Sequence, residues 1–200
     1  QLSRAWSGWG TVCAARAATR LRAAAPDLDL LIFTGVAGAA HSDQNQWDVV
    51  LADAVVQHDM DASPLFPRFT LPPLNRDRVK PDPGWFTWAA DALKRAAENG
   101  ELENFGCFSS GLIATGDRFI GDASLRQELR EVLPGLQAVE MEGGAVAQVA
   151  EQEGVPWLLI RVISDGADES AAQSFTDFVQ VYEQQAWTLI EALLRRVNNP

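Results

Sequence analysis

Residues 138–169 have the sequence AVEMEGGAVAQVAEQEGVPWLLIRVISDGADE, and this stretch indicates the class of fold. A strand-like run at 136–141 leads into a helix predicted at 142–153, which ends at Gly154. The following segment, 155–163, is apolar at nearly every position, as expected for a strand buried on both faces of a sheet. The succession of strand, helix and buried strand predicts an α/β fold with a largely parallel sheet.

The same alternation extends outward from this stretch to both ends of the chain. Further helices are predicted at 11–25, 84–99, 124–133 and 174–197, and further strands at 28–33, 47–58 and 105–114. The segment 62–83 carries prolines at positions 64, 67, 72, 73, 81 and 83, so it is predicted to be a long loop. We therefore predict one domain over residues 1–200, a three-layer α/β/α sandwich with a central, mostly parallel twisted sheet.

Composition and charge exclude several classes of partner. The chain has 16 basic and 27 acidic residues among its 200, for a formal net charge of −11, so we expect no nucleic-acid partner. No apolar run reaches the ~20 residues that cross a bilayer, so no membrane partner is expected. With two cysteines, Cys13 and Cys107, and two histidines, neither a disulfide framework nor a metal or other cofactor is expected. A small-molecule partner and a cytoplasmic location are expected.

Ligands of α/β proteins gather beyond the carboxyl ends of strands, and two motifs rich in small residues fall there. The first, TGVAG at 34–38, is predicted to be a turn that either admits a ligand close to the backbone or only reverses the chain. Its candidate contacts are Val36, Ala37 and Gly38. In the second, GLIATGDRFI at 111–120, Phe119 would stack on a planar base or would belong to the core.

Two further strand ends carry acids. In AVEME at 138–142, the carboxylates of Glu140 and Glu142 are costly to bury without hydrogen-bond donors, and the two hydroxyls of a ribose diol supply such donors. Alternatively, Glu142 only interacts favourably with the dipole of the following helix. Ser164 and Asp165 directly follow the most apolar segment of the chain. Asp165 is there either a helix cap or a catalytic acid, because a low-dielectric site raises a carboxyl pKa and so favours a proton donor.

Taken together, these segments resemble a known family. TGVAGA, ADAVVQHDMDAS, GLIATGDRFI, the stretch 138–169 and SFTDFV occur in this order along residues 7–197. They resemble the nucleoside phosphorylase/nucleosidase family, and most of all its 5′-methylthioadenosine/S-adenosylhomocysteine nucleosidase branch. The spacing between AVEME and VISDGAD is the specific part of this resemblance, whereas the glycine-rich motif alone is not.

The resemblance implies hydrolysis of the N-glycosidic bond between adenine and a 5′-thio-substituted ribose. Asp165 is then the general acid that protonates purine N7, and Ser164 holds its carboxyl group. Glu142 hydrogen-bonds the ribose 2′- and 3′-hydroxyls, Met141 packs on the sugar, and Phe119 stacks on adenine. The other expected substrate contacts are the backbone of Ile120 together with Trp9, Val36, Ala37, Gly38, Val139, Glu140 and Phe175.

The sequence departs from the family pattern in two places. Val36 stands where the family commonly has a small hydroxyl residue, which alters the expected contacts of the attacking water. The family begins with a strand and an acidic loop whose glutamate activates water, and this segment is expected to be missing upstream of Gln1. In phosphorylases of the family an Arg usually precedes the glycine-rich motif, whereas residues 31–34 are uncharged here, which favours water over phosphate.

Three readings of the function stay open at this point. The first is the nucleosidase, with a place in methionine salvage; the second is a phosphorylase or a hydrolase of another purine nucleoside; the third is a non-catalytic nucleoside-binding protein. Family members are commonly homodimers, in which the loop after the HD motif (His58-Asp59 here) reaches into the partner's site. The apolar segment from Leu65 to Phe69 fits that role, or it packs on its own subunit.

Overall fold

The computed structural model describes residues 2–168 and 171–197. The helices are α1 (Thr11–Ala24), α2 (Pro83–Glu98), α3 (Ala123–Val132), α4 (Gly143–Gln152) and α5 (Ala171–Val197). The strands are β1 (Leu31–Ala39), β2 (Val49–Gln57), β3 (Phe108–Thr115), β4 (Leu136–Glu140) and β5 (Trp157–Asp165). Every predicted helix and strand is therefore present, with most ends shifted by a few residues.

The five strands form one mixed sheet in the order β1-β4-β3-β2-β5, and β5 pairs again with β1, so the sheet closes on itself. The pairs β1–β5, β2–β3 and β3–β4 are parallel. The pairs β1–β4 and β2–β5 are antiparallel. The predicted α/β fold with a central sheet is confirmed, and the parallel pairs are in the majority.

Helices cover both faces of β5, which explains its unbroken apolar sequence. On one face, Leu158 and Ile160 pack in a cluster with residues of α2 and α5, such as Leu93 and Leu189. On the other face, Leu159 packs in a cluster with residues of α1 and α4. Burying one such Leu or Ile side chain stabilises the fold by about 1.5–3 kcal/mol, so β5 is the centre of the hydrophobic core.

The turn predicted at 34–38 is wrong, because these residues lie inside β1. The glycines do not reverse the chain; because they lack a side chain, they leave space for atoms of β5 and of the segment after it. A Cβ at Gly35 would lie 2.9 Å from Nη1 of Arg161, and a Cβ at Gly38 would lie 2.9 Å from Cβ of Ala167. Glycine within this strand is therefore required by its neighbours.

The long loop predicted at 62–83 is confirmed up to Asp82, after which α2 begins with Pro83. Leu71 and Val79 are buried and anchor the loop through isolated β-bridges to Arg76 and Val55. Leu65, by contrast, is 84% exposed. Over the described residues, none of the helices combines the length and apolar character required to span a bilayer.

Candidate active site

Gly38 at the end of β1 brings the two acidic strand ends together. It pairs with Val139 of β4 on one side and with Asp165 of β5 on the other. Since hydrogen-bonded strands lie about 4.8 Å apart, the ends of β4 and β5 are about 10 Å from each other across Gly38. The motifs AVEME and ISD, which are separated by 21 positions from Glu142 to Ile163, therefore meet at one end of the closed sheet.

A β-bulge at the end of β5 aims the Asp165 side chain. Ala37 pairs with Ile163 and Gly38 pairs with Asp165, so Ser164 is the extra residue of the bulge. The Ser164 hydroxyl lies 2.7 Å from Oδ2 of Asp165 and 3.2 Å from the carbonyl oxygen of Ala37, and it donates toward both. The amide of Ala167 donates to Oδ1 of Asp165 at 2.9 Å. Both carboxyl oxygens are thereby held in place by groups of the same segment, Oδ2 by Ser164 and Oδ1 by Ala167.

Burial raises the pKa of the Asp165 carboxyl above its usual range, and this effect outweighs the hydrogen bonds from Ser164 and Ala167, which lower it. The cause is desolvation, since a charged carboxylate is disfavoured in a low-dielectric site. A buried carboxyl that retains its proton toward neutral pH is suited to donate that proton to a bound molecule. The geometry thus favours an acid at this position over a helix cap, because residues 166–168, which directly follow Asp165, are not helical.

Glu140, at the end of β4, is buried in a different way. Its Oε2 accepts from Nη2 of Arg161 at 2.6 Å, and the two side chains are each only 1% exposed. The same oxygen accepts from the amide of Gly143 at 2.7 Å, and Oε1 accepts from the Thr115 hydroxyl. Both oxygens are therefore occupied by donors of the protein, which favours a role in organising the start of α4 over direct contact with a ligand.

Glu142 occupies the residue before α4 and is only partly buried. Its Oε1 accepts from the backbone amide of Gly10 at 2.8 Å, a contact between residues 132 positions apart. Burial raises the pKa of Glu142, and the charge of Glu140 adds to this rise, while the hydrogen bond from Gly10 and the charge of Arg161 lower it. Glu142 does not cap its own helix, so its carboxylate is available at the edge of the site.

Three aromatic side chains from distant segments form a cluster. The rings of Trp9 and Phe175 meet edge to face at 5.4 Å, and those of Phe119 and Phe175 at 6.0 Å. Trp9 is 65% exposed and Phe119 41% exposed, so neither is a core residue. The expectation that Phe119 offers a face to a planar ligand fits this exposure. Ile120, whose backbone was the expected contact, has a buried side chain.

Other predicted contacts have side chains that belong to the core. Val36 packs against the cluster that contains Phe178 and Tyr182. Ala37 and Val139 are buried in the two other core clusters. Any contact of these three residues with a ligand would be made through their backbone, and their predicted role stays a prediction. Met141, next to Glu142, is partly exposed.

The sequence analysis missed Arg161, which β5 buries completely beside the Phe33 ring. The signal was present, because a lone Arg within the apolar run VPWLLIRVI requires a buried counter-charge. Its Nη1 is buried with no hydrogen-bond partner among the described residues. His58, at the end of the HD motif's strand, is a second missed group, and burial lowers its pKa.

Two surface cavities lie apart from these residues. A cavity of about 580 Å³ is lined by His41, Gln127, Arg130, Glu131, Leu133, Gly135, Leu136 and Gln137. Another, of about 340 Å³, is lined by Gln46, Trp47, Asp177, Phe178 and Val181. We place the candidate site at Asp165 and Glu142 nevertheless, because perturbed carboxyl groups identify chemistry more directly than concavity does. Within the described part of the chain, no group of three His, Cys, Asp or Glu side chains has the geometry to hold a metal ion.

Comparison with known proteins gives consistent matches over nearly the whole chain. A sequence model of the phosphorylase superfamily matches residues 4–195. The 5′-methylthioadenosine/S-adenosylhomocysteine nucleosidase of Chromohalobacter salexigens is 33% identical over 191 residues, which are 96% of this chain and 78% of that protein. The crystal structure of the Neisseria meningitidis nucleosidase of the same name, in complex with methylthio-immucillin-A, has a TM-score of 0.84 at 31% identity and covers 95% of this chain and 79% of that one. The native structure of Helicobacter pylori futalosine hydrolase has a TM-score of 0.82 at 28% identity, covering 95% and 77%.

Proposed function

Because the chain belongs to the phosphorylase superfamily, we propose that it hydrolyses the N-glycosidic bond of adenine nucleosides that carry a 5′-thio substituent, and so releases adenine. The substrates proposed are 5′-methylthioadenosine and S-adenosylhomocysteine, after which the similar nucleosidases are named. The observation that carries the proposal is the Asp165 carboxyl, which is buried, held by Ser164 and raised in pKa at the edge of the sheet.

Asp165 acts on the leaving group. As the C1′–N9 bond breaks, its electron pair moves into the purine, and a proton from the Asp165 carboxyl at N7 neutralises the base. Water forms the new bond to C1′ and loses a proton to solvent, which gives the free sugar, and solvent reprotonates the Asp165 carboxylate. Ser164 holds the carboxyl in the orientation for this transfer through its 2.7 Å hydrogen bond. Positioned general acid catalysis of this kind contributes about 10²–10⁴-fold to the rate.

Glu142 acts on the sugar. Its carboxylate accepts hydrogen bonds from the 2′- and 3′-hydroxyls, and its negative charge stabilises the oxocarbenium-like ribose as positive charge develops at C1′. Met141 packs on the sugar, and Phe119 stacks on adenine beside Phe175 and Trp9. These roles are supported by the positions of β4 and β5, whose ends lie about 10 Å apart on either side of Gly38.

The experiment incubates the purified protein with methylthioadenosine, with and without phosphate, and measures adenine and the sugar product by chromatography. The proposal predicts adenine and free methylthioribose at equal rates in both conditions. Release that requires phosphate and yields a sugar phosphate would identify a phosphorylase instead. Nucleoside binding without release would identify a binding protein.

A second candidate substrate is futalosine, favoured by the likeness to the futalosine hydrolase at a TM-score of 0.82. The same acid and the same diol contacts would act on its N-glycosidic bond. Parallel assays with both nucleosides discriminate the two, and we expect the higher kcat/KM for methylthioadenosine.

We further propose the setting in which this activity operates. Residues 1–200 form one domain, supported by a sheet whose strands come from positions 31 to 165. The chain is a homodimer, and the exposed Leu65 within the segment from Leu65 to Phe69 supports a contact with the partner. A cytoplasmic location fits the free thiols of Cys13 and Cys107, and release of methylthioribose fits a role in methionine salvage.

A further inference from the structure

We propose that Asp117 is a positioning residue of this site: its carboxylate caps α1 and thereby holds the Gly10 amide against the Glu142 carboxylate. The inference rests on the proposed function, because the group that is positioned is the one proposed to bind the ribose. Asp117 itself touches no proposed substrate atom and acts through the segment around Gly10.

Helix α1 is capped by a side chain from a distant part of the sequence. Helix α1 begins at Thr11, and its preceding residue, Gly10, has no side chain to accept from the first amides. Asp117, in the loop between β3 and α3, supplies the missing acceptor. Its Oδ1 accepts from the Thr11 amide at 2.8 Å, and its Oδ2 accepts from the Thr11 hydroxyl at 2.5 Å. A carboxylate at a helix N-terminus also interacts favourably with the helix dipole.

The loop that carries Asp117 is itself held in place. The Asp117 amide donates to Oδ2 of Asp59 at 2.8 Å, so the loop that carries Asp117 is fixed to the end of β2. Gly10 has a φ of +83°, and a Cβ there would lie 3.1 Å from Oδ1 of Asp117. The positive φ therefore favours a glycine where the chain turns into α1, and this glycine lies in close contact with the Asp117 carboxylate.

The capped segment also contacts Glu142. The amide adjacent to the capped Thr11 is that of Gly10, and it donates to Oε1 of Glu142 at 2.8 Å. This bond orients one carboxylate oxygen and stabilises the ionised form, which is the form that accepts from a diol. The charged groups that act on Glu142 are Glu140, which disfavours the ionised form, and Arg161, which favours it. Loss of the Gly10 bond removes one of the influences that lower the pKa of Glu142, the others being the charge of Arg161 and a backbone hydrogen bond from Met141.

The capped segment also carries Trp9, one member of the aromatic cluster. Trp9 directly precedes Gly10 and meets Phe175, which in turn meets Phe119, two residues after Asp117. The same cap therefore fixes both the carboxylate proposed for the sugar and one edge of the cluster proposed for the base. A variant that releases α1 from Asp117 is expected to affect substrate binding and the ionisation of Glu142 together.

The experiment compares Asp117→Ala with Asp82→Ala. Asp82 caps α2 through the Trp85 amide at 3.0 Å, so its variant loses a helix cap of the same kind away from the site. We measure kcat and KM for methylthioadenosine across pH, and the hydrogen exchange of residues 10–14. A hydrogen bond to a charged group corresponds to about a tenfold effect, so Asp117→Ala is expected to lose about tenfold in kcat/KM. Its acid limb should move to higher pH, because the pKa of Glu142 rises when the Gly10 bond is lost.

Two further variants assign these effects. Glu142→Gln should abolish the acid limb, which ties that limb to Glu142. Thr11→Val should reproduce part of the Asp117→Ala shift, and Thr11→Ser, which retains the hydroxyl, should restore the wild-type profile. Asp82→Ala should leave the acid limb and the exchange of residues 10–14 unchanged.

The proposal is overturned if Asp117→Ala has the acid limb and KM of the wild type, or if Asp82→Ala shifts them equally. It is also overturned if the exchange of residues 10–14 does not increase in Asp117→Ala. Failure of the proposed function is a separate result, seen as absence of adenine release by the wild-type protein. The exchange measurement then still decides whether Asp117 holds the segment.

Discussion

Glu140 and Asp165 are buried carboxyl groups at the ends of β4 and β5, the two strands that flank β1 on either side of Gly38, yet their burial is compensated differently. Glu140 has a guanidinium 2.6 Å away together with two amides and a hydroxyl. Asp165 has the hydroxyl of Ser164 and the amide of Ala167. Glu140 faces a full positive charge, whereas Asp165 has only neutral donors, and desolvation outweighs them and raises the pKa of Asp165. The difference separates a structural acid from a proton donor within a single site.

The largest effect that sharpens this comparison is expected from Asp165→Asn. The amide keeps the shape of the side chain but has no carboxylic proton, so adenine release from methylthioadenosine should fall about 10²–10⁴-fold. Binding of the nucleoside, measured by calorimetry, should persist. The matched control is Asp53→Asn, which alters an exposed carboxylate on β2. Turnover of Asp165→Asn within a few-fold of this control would remove Asp165 from the mechanism.

The next effect concerns the stability that depends on Glu140. Arg161→Met leaves the Glu140 charge buried without its cation, and removal of one partner of a buried pair costs about 3–5 kcal/mol in the free energy of unfolding. The control is Arg76→Met, whose pair with Glu151 at 3.2 Å is solvent-exposed on the Arg side and worth about 0–1 kcal/mol. Urea unfolding measures both.

The double variant Glu140→Gln/Arg161→Met makes the stability argument stricter. It removes both charges, so it should be more stable than Arg161→Met alone despite carrying one more substitution. Equal losses for Arg161→Met and Arg76→Met would show that the buried pair has no special weight in the fold.

The smallest effect is a shift of the pH profile in Ser164→Ala. The Ser164 hydrogen bond lowers the pKa of Asp165, so its removal raises that pKa further. A general acid is active when protonated, and activity falls as pH rises through its pKa. The alkaline limb of kcat/KM should therefore move to higher pH in Ser164→Ala, measured by initial rates of adenine release. A shift to lower pH would contradict the assignment of that limb to Asp165.

The sequence was informative for the parts of the molecule in which structure follows local pattern. Asp165 and Glu142 could be selected as candidates because they directly follow apolar strands, but a helix cap and a helix-dipole contact stayed open for them, and their proposed roles come from the family resemblance. The class of fold followed from the alternation of strands and helices around VPWLLIRVI. These features depend on neighbours in sequence.

The remaining features depend on register and long-range contacts. The pairing of Arg161 with Glu140 requires β1 to lie between β5 and β4 and Gly35 to leave space for the guanidinium, which a single sequence does not reveal. The glycines at 34–38 are compatible with a turn or with a crowded strand, and only the packing of neighbouring side chains decides. The contact between Gly10 and Glu142 joins residues 132 positions apart and has no local signal.

The central claim, that Asp165 donates a proton to the leaving base, is tested most directly by changing the leaving group. The measurement compares the rates of the wild type and Asp165→Asn on two substrates, methylthioadenosine and the 4-nitrophenyl glycoside of 5-methylthioribose. The second substrate releases 4-nitrophenolate, a leaving group that departs without protonation. We predict a loss of about 10²–10⁴-fold for adenine release and nearly unchanged release of nitrophenolate. An equal loss on both substrates would contradict the claim, because it would show that Asp165 supports binding or the sugar and not the departure of the base.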